Sequence, residues 1–138
     1  MKDLLADTHS LIWYLFDSKR LSPAALQALT AANLFGRIYI SAITLVELNY
    51  IAGKKNFPYP GILPLVIAQL TDPHKPFEVL PVTFQIALAM DRVPRNEVPD
   101  MPDRIIAATA VEHRLPLVSA DSNIRRSTSL NAMTPVIW

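Results

Sequence analysis

Leu4-Leu5-Ala6-Asp7-Thr8-His9-Ser10-Leu11-Ile12-Trp13 is a short apolar run, an acid, and then an apolar stretch compatible with a helix. Read as a strand from Asp3 to Ala6 passing through Asp7 into a helix from Thr8 to Phe16, it makes a strand–acid–helix unit. The unit returns near the other end of the chain. Leu117-Val118-Ser119-Ala120 is a second apolar run that stops at an acid, Asp121, and Ser122 to Arg126 offers one helical turn.

Between these units the pattern keeps alternating. Leu21-Ser22-Pro23 starts a helix, with Ser22 suited to the N-cap and Pro23 to the first helical position. That helix runs to about Leu34 and is followed by Gly36. Arg37-Ile38-Tyr39-Ile40 is β-branched and aromatic, a strand. A helix opens at Ser41 or Ala42 and runs to about Ala52, before Gly53. Phe57 to Pro64 reads as a Pro-rich loop, Leu65 to Leu70 as a helix with Pro64 in its first turn, and Phe77 to Val82 as a strand. Thr83 to Arg92 and Met101 to Arg114 read as helices, and Val136-Ile137-Trp138 as a last short strand. Strands alternating with helices predict an α/β fold, a three-layer α/β/α sandwich around a mainly parallel sheet. The strands lack inside-out alternation, as expected when helices cover both faces. In such sheets ligands bind beyond the carboxyl ends of the strands, which is where Asp7 and Asp121 fall.

Composition narrows the function classes. The 138 residues fit one domain, 1–138, and 51% hydrophobic content is ample for a core. No apolar run reaches the roughly 18 residues needed to cross a membrane, and the first residues do not resemble a signal peptide. A cytoplasmic protein is therefore expected. The absence of Cys agrees and excludes thiolate metal sites. Three Gly residues leave no Gly-rich phosphate loop. A net charge of +1 excludes binding of nucleic acid by bulk electrostatics, so any polyanion site must be local or must use metal ions.

Four of the 12 acids stand out by context. Asp7 and Asp121 follow strands, where Asp is also a favoured helix N-cap. Asp103 sits in the first turn of its helix, where it complements the helix dipole; Asp100, three residues earlier, is the better N-cap. Glu47, inside Ile43-Thr44-Leu45-Val46-Glu47-Leu48, shares a helix face with Ile43, Tyr50 and Ile51, which reads as the buried stripe. A carboxylate there needs a partner; Arg104 in a structural ion pair is one choice, a cation the other. Taken together the four acids should converge on one sheet edge. Clustered carboxylates repel unless a divalent cation joins them, and hard cations select oxygen ligands. Such a site positions phosphate oxygens and activates water for in-line attack.

Four strings in order carry a resemblance over essentially the whole chain. Leu5-Ala6-Asp7-Thr8-His9-Ser10-Leu11-Ile12-Trp13, Ser41-Ala42-Ile43-Thr44-Leu45-Val46-Glu47-Leu48, Pro102-Asp103-Arg104-Ile105-Ile106-Ala107-Ala108-Thr109-Ala110 and Leu117-Val118-Ser119-Ala120-Asp121 resemble the motifs of bacterial PIN domains, and among them the VapC-type toxins of toxin–antitoxin pairs. The resemblance implies a single PIN domain acting as an endoribonuclease with magnesium (Mg²⁺) or manganese (Mn²⁺). It implies Asp7, Glu47, Asp103 and Asp121 as the acidic metal and catalytic residues, Thr8 and Ser119 as hydroxyls behind them, and products with a 5′-phosphate and a 3′-hydroxyl. It also implies a homodimer and a cognate antitoxin protein that blocks the site. Lys54, Lys55, Arg92, Arg95, Arg125 and Arg126 are candidate RNA contacts, each with solvated surface charge as its plain reading. Ile62, Leu63, Leu65, Val66, Ile67 and Leu70 read as core, or in part as a groove or dimer surface.

Rival readings lack their residues. A signalling receiver wants an acidic pair at the first strand and a Lys after a late one; Ala6-Asp7 and Ser119-Ala120-Asp121 supply neither. A phosphatase of the Asp-x-Asp type needs an acid where His9 stands. An RNA-processing enzyme or a nuclease of single-stranded or flap DNA remains an alternative, as does a non-catalytic binding domain, which would have no need of all four acids.

Overall fold

Leu4–Ala6 (β1) is buried on both sides, with Leu4 and Ala6 packed into one core and Leu5 into another. That split is the sandwich in miniature: a strand alternates its side chains, and here both faces meet helices. A computed structural model describes residues 2–138. Its sheet has five strands, all parallel, in the order β3-β2-β1-β4-β5, with Ile38–Ser41 (β2), Phe77–Leu80 (β3), Leu117–Val118 (β4) and Val136–Ile137 (β5).

The helices between strands are Thr8–Leu15 (α1), Pro23–Phe35 (α2), Ala42–Ala52 (α3), Ile62–Thr71 (α4), Phe84–Ala89 (α5), Met101–His113 (α6), Ser122–Arg126 (α7) and Thr128–Met133 (α8). Leu11, Ile12, Ala25, Leu29, Leu48, Ile62 and Val66 of α1 to α4 form the first core with Leu4, Ala6, Ile38 and Ile40. Ile106, Ala107, Ala110, Ile124 and Leu130 of α6 to α8 form the second with Leu5 and Leu117. Parallel neighbours need crossover connections, which are almost always right-handed. Since the chain steps outward from β1 to β3 and then returns to the far side of β1, the helices divide between the two faces. The strand order therefore reverses between β1 and β4, and a crevice opens at their carboxyl ends.

Several boundaries differ from expectation for local reasons. α4 begins three residues before Leu65, because Gly61 adopts a left-handed φ of 75° and turns the loop directly into a helix. The stretch after Thr83 stays helical only to Ala89 and tightens into a 3-10 turn at Met90–Arg92. α8 was not foreseen; Ser127 caps it by accepting from the Leu130 amide at 3.2 Å, and the Glu97 carboxylate clasps Ser127 and Ser129 there. In the apolar segment of α4, Ile62 and Val66 are core and Ile67 is 48% exposed. Among the described residues no helix is long and apolar enough to cross a membrane.

Candidate metal centre

At the crevice between β1 and β4 lies a cavity of about 420 Å³ lined by Asp7, Glu47, Asp100, Asp103 and Asp121. Thr8, His9, Trp13, Arg20 and Ala120 complete its wall. The four acids singled out in the sequence thus meet, although they come from four widely separated segments.

Each acid is aimed by its own element. The chain leaves β1 at Asp7, whose Oδ1 accepts the Ser10 amide at 2.9 Å and so caps α1. It leaves β4 just before Asp121, whose Oδ1 accepts the Ile124 amide at 2.9 Å and caps α7. Capping and ligand binding do not compete here. A carboxylate has two oxygens, and binding one to the helix start fixes the direction of the other. Asp100 caps α6 by accepting the Asp103 amide at 3.1 Å, which leaves the Asp103 carboxyl to the cavity.

Glu47 corrects the sequence reading in two ways. The buried residues of α3 are Thr44 and Leu48, and Tyr50 is 74% exposed, so Glu47 is half-buried at the rim of the stripe. Nor does Arg104 neutralise it. Its guanidinium donates to the carbonyls of Val93 and Met90, both at 2.7 Å, and holds the 3-10 turn. Glu47 instead accepts from Thr8 Oγ1 at 2.6 Å, and Thr8 lies 3.0 Å from the Thr44 hydroxyl. A threonine has one hydroxyl proton. Given to Glu47, it obliges Thr44 to donate to Thr8, a directed chain from the core to the carboxylate. Ser119 plays a matching part. Its Oγ accepts the Asp121 amide at 3.1 Å, and its hydroxyl pulls the Asp7 pKa down against the effect of burial.

The electrostatics carry the cost of gathering these groups. Burial raises the Asp103 pKa to about 7, reinforced by Asp121, Asp100, Asp7 and Glu47. Burial also raises Asp7, against hydrogen bonds from Ser119 and Ser10 and the nearby His9. Burial raises Glu47, opposed by the Thr8 hydroxyl.

The donor set suits a hard divalent cation: oxygen ligands in a polar cavity, without thiols. Among the described residues no group of three or more His, Asp or Glu side chains is placed closely enough to hold a metal ion as it stands. Magnesium does not require one, since it keeps several waters and takes one or two carboxylates directly.

The basic candidates divide. Lys54 and Lys55 line a second cavity beside the first. Arg92 is paired with Glu112 at 3.1 Å, and Arg126 rests on Asn123 at 3.4 Å. Arg95 and Arg125 are exposed and outside the cavity wall. Asp100, Arg20 and Trp13 line the wall without having been assigned to the site from the sequence. Asp100 could have been found, since it stands one helical turn from Asp103; Arg20, in a charged loop, had no local signal.

The family model for the PIN domain matches residues 4–128. The chain is 30% identical over 125 residues to "Ribonuclease VapC22" of Mycobacterium tuberculosis, covering 91% of this chain and 92% of that protein. It is 28% identical to a chain of a toxin–antitoxin complex from Klebsiella pneumoniae, with a TM-score of 0.60 over 91% of this chain and 93% of that one. DNA-bound VapBC from Salmonella typhimurium shares the fold, at 22% identity and a TM-score of 0.66 over 99% and 97% of the two chains.

Proposed function

The chain belongs to the PIN-domain family, and on that premise we propose that it is a metal-dependent endoribonuclease, the toxin of a toxin–antitoxin pair. The observation that carries the reading is the meeting of Asp7, Glu47, Asp103 and Asp121 in one cavity at the sheet's switch point. The likeness to a ribonuclease at 30% identity and to a chain of a toxin–antitoxin complex at 28% supports it.

Asp7, Glu47 and Asp103 would hold the principal cation, directly or through water, and Asp121 would complete that set or help to hold a second ion. Magnesium or manganese bound there supplies charge to offset the phosphate and makes water a stronger acid. Thr8 holds Glu47 in place and favours its charged form against the burial that raises its pKa. Ser119 likewise opposes the effect of burial on Asp7, and its hydroxyl holds the Asp121 amide. No side chain has to form a covalent intermediate.

The test is incubation of the purified protein with defined RNAs in magnesium, manganese or chelator, followed by mapping of the product ends. Metal-dependent cuts leaving 5′-phosphate and 3′-hydroxyl ends are expected; RNA left intact under every condition would sink the proposal. The antitoxin and homodimer follow the same reading. Light scattering of the chain, alone and with the product of a neighbouring short reading frame, checks both.

A further inference from the structure

A second cavity of about 370 Å³ adjoins the acidic one, and the two share His9, Trp13 and Arg20 in their walls. They therefore form one groove whose charge changes sign along its length. Five carboxylates line one end and Lys54 and Lys55 the other, with Arg20 in the wall of both. Arg20 makes no ion pair among the described residues, and the Lys54 ammonium lies 5.0 Å over the Tyr50 ring. These are cations not committed to carboxylates of the fold.

The groove also carries aromatic surface. Trp13 stands between His9, at 5.6 Å, and Trp138, at 5.8 Å between ring centroids, and Tyr59 lies across from it in the second cavity. Trp13 is partly buried, so its ring is braced by its neighbours while its exposed part lines both cavities. Braced aromatics alternating with basic side chains are what a single strand requires. Its phosphates need local cations, and its unpaired bases offer faces for stacking that a duplex keeps to itself. The chain's net charge of +1 makes this local supply the more telling.

We propose that this groove binds the RNA strand flanking the cut, with a base stacked on Trp13 and neighbouring phosphates met by Arg20, Lys54 and Lys55. The inference rests on the nuclease reading above and adds to it the side chains of this chain that meet the strand. It makes Trp13 and Arg20 substrate-binding residues that the acidic motifs do not reveal.

The chain has two tryptophans: Trp13 lines the groove, and Trp138 packs against Trp13 at 5.8 Å between ring centroids. Their emission reports the groove's occupancy. A short single-stranded oligouridylate titrated into the Asp103→Asn protein is expected to change that emission saturably, and a blunt duplex of equal length to do so far less. Trp13→Leu, with Trp138 left as reporter, should weaken binding about five-fold or more, and Trp13→Phe should restore most of it. Lys54→Ala should make the dependence of log affinity on log salt shallower by about 0.7, while Lys75→Ala, across the molecule, leaves it unchanged. In the cleaving wild-type background the Trp13 and Lys54 changes should raise KM more than they lower kcat. If wild type cleaves but both variants keep its KM and salt slope, the groove proposal is overturned. The groove then belongs to another occupant, such as an acidic segment of a protein partner. If wild type cleaves nothing, it is the nuclease reading that fails, and the titration still decides the groove.

Discussion

Thr8 Oγ1 donates to Glu47 Oε1 across 2.6 Å, and the Thr44 hydroxyl stands 3.0 Å behind it. Two residues 39 positions apart are thereby locked where the carboxylate meets the cavity. Thr8 is 4% exposed and Thr44 fully buried, so the chain is sheltered from competing water. Thr8→Val should leave the fold in place but cost about 10–100-fold in cleavage rate, the usual penalty for removing a partner that orients a metal ligand. Thr8→Ser should recover most of the loss. A valine variant as active as wild type would show that Glu47 needs no such hold.

Asp7 has two tasks, and two substitutions separate them. Asp7→Asn keeps an oxygen to accept the Ser10 amide, so stability should hold while cleavage falls by about 100-fold or more. Asp7→Ala loses the cap as well and should cost a further ~1 kcal/mol of stability. Thermal melts beside rate measurements distinguish the tasks. Equal melting temperatures for the two variants would remove the capping role.

The raised pKa of Asp103 sets the sign of a pH effect in chelator. Its ordinary value is 3.8, and in the folded protein it is about 7. The native state thus binds this proton more tightly than the unfolded chain. Stability should fall as pH rises from about 4 to about 7 through this group. Asp103→Asn should flatten that fall, and added magnesium should offset it. Melting curves across the range test this; a slope unchanged by the substitution would locate the repulsion elsewhere.

Glu97 should act in the opposite direction. Hydrogen bonds from the Ser129 hydroxyl, the Ser129 amide and the Ser127 hydroxyl hold its carboxyl below the ordinary range. Its stabilising contribution is present above about pH 4.5, the unfolded value, and is lost as pH falls through the lower folded one. Glu97→Gln should make the protein less sensitive to mild acid. Faster hydrogen exchange in α8 alone would report the loosened clasp.

Gly36 passes the chain close to its own N-terminal strand. A Cβ there would stand 2.7 Å from the Lys2 carbonyl carbon and 2.9 Å from the Asp3 amide nitrogen. Backbone atoms cannot swing aside as a side chain does. Gly36→Ala should therefore cost about 1–3 kcal/mol in a denaturant melt, in the range of overpacking, without changing the acidic cavity.

Much of the site was legible because its residues also serve local structure. Asp7 and Asp121 follow apolar runs and cap helices, so the strand ends and the acids were found by the same pattern. Asp100 was read only as a cap, yet it lines the cavity with Asp103. Tyr50 was placed on a buried face because spacing gives the period of a helix and not its roll; packing through Thr44 and Leu48 fixed the roll and left Tyr50 outside. α8 escaped notice because it is short, and part of what holds it is Glu97, some 30 residues earlier.

The alternation of strands and helices, the parallel sheet and the four carboxylates to watch are all legible along the chain. Apolar runs, caps and turn residues act over a few positions and leave a readable trace. It took the packing of distant segments to commit Arg104 to the carbonyls of Val93 and Met90 rather than to Glu47, and to set Arg20 and Trp13 between the acids and Lys54 and Lys55. Those relations depend on how the reversal of strand order brings α1, α3 and α6 around one crevice. Charge and stacking depend on distance in space, and no local pattern in the chain encodes it.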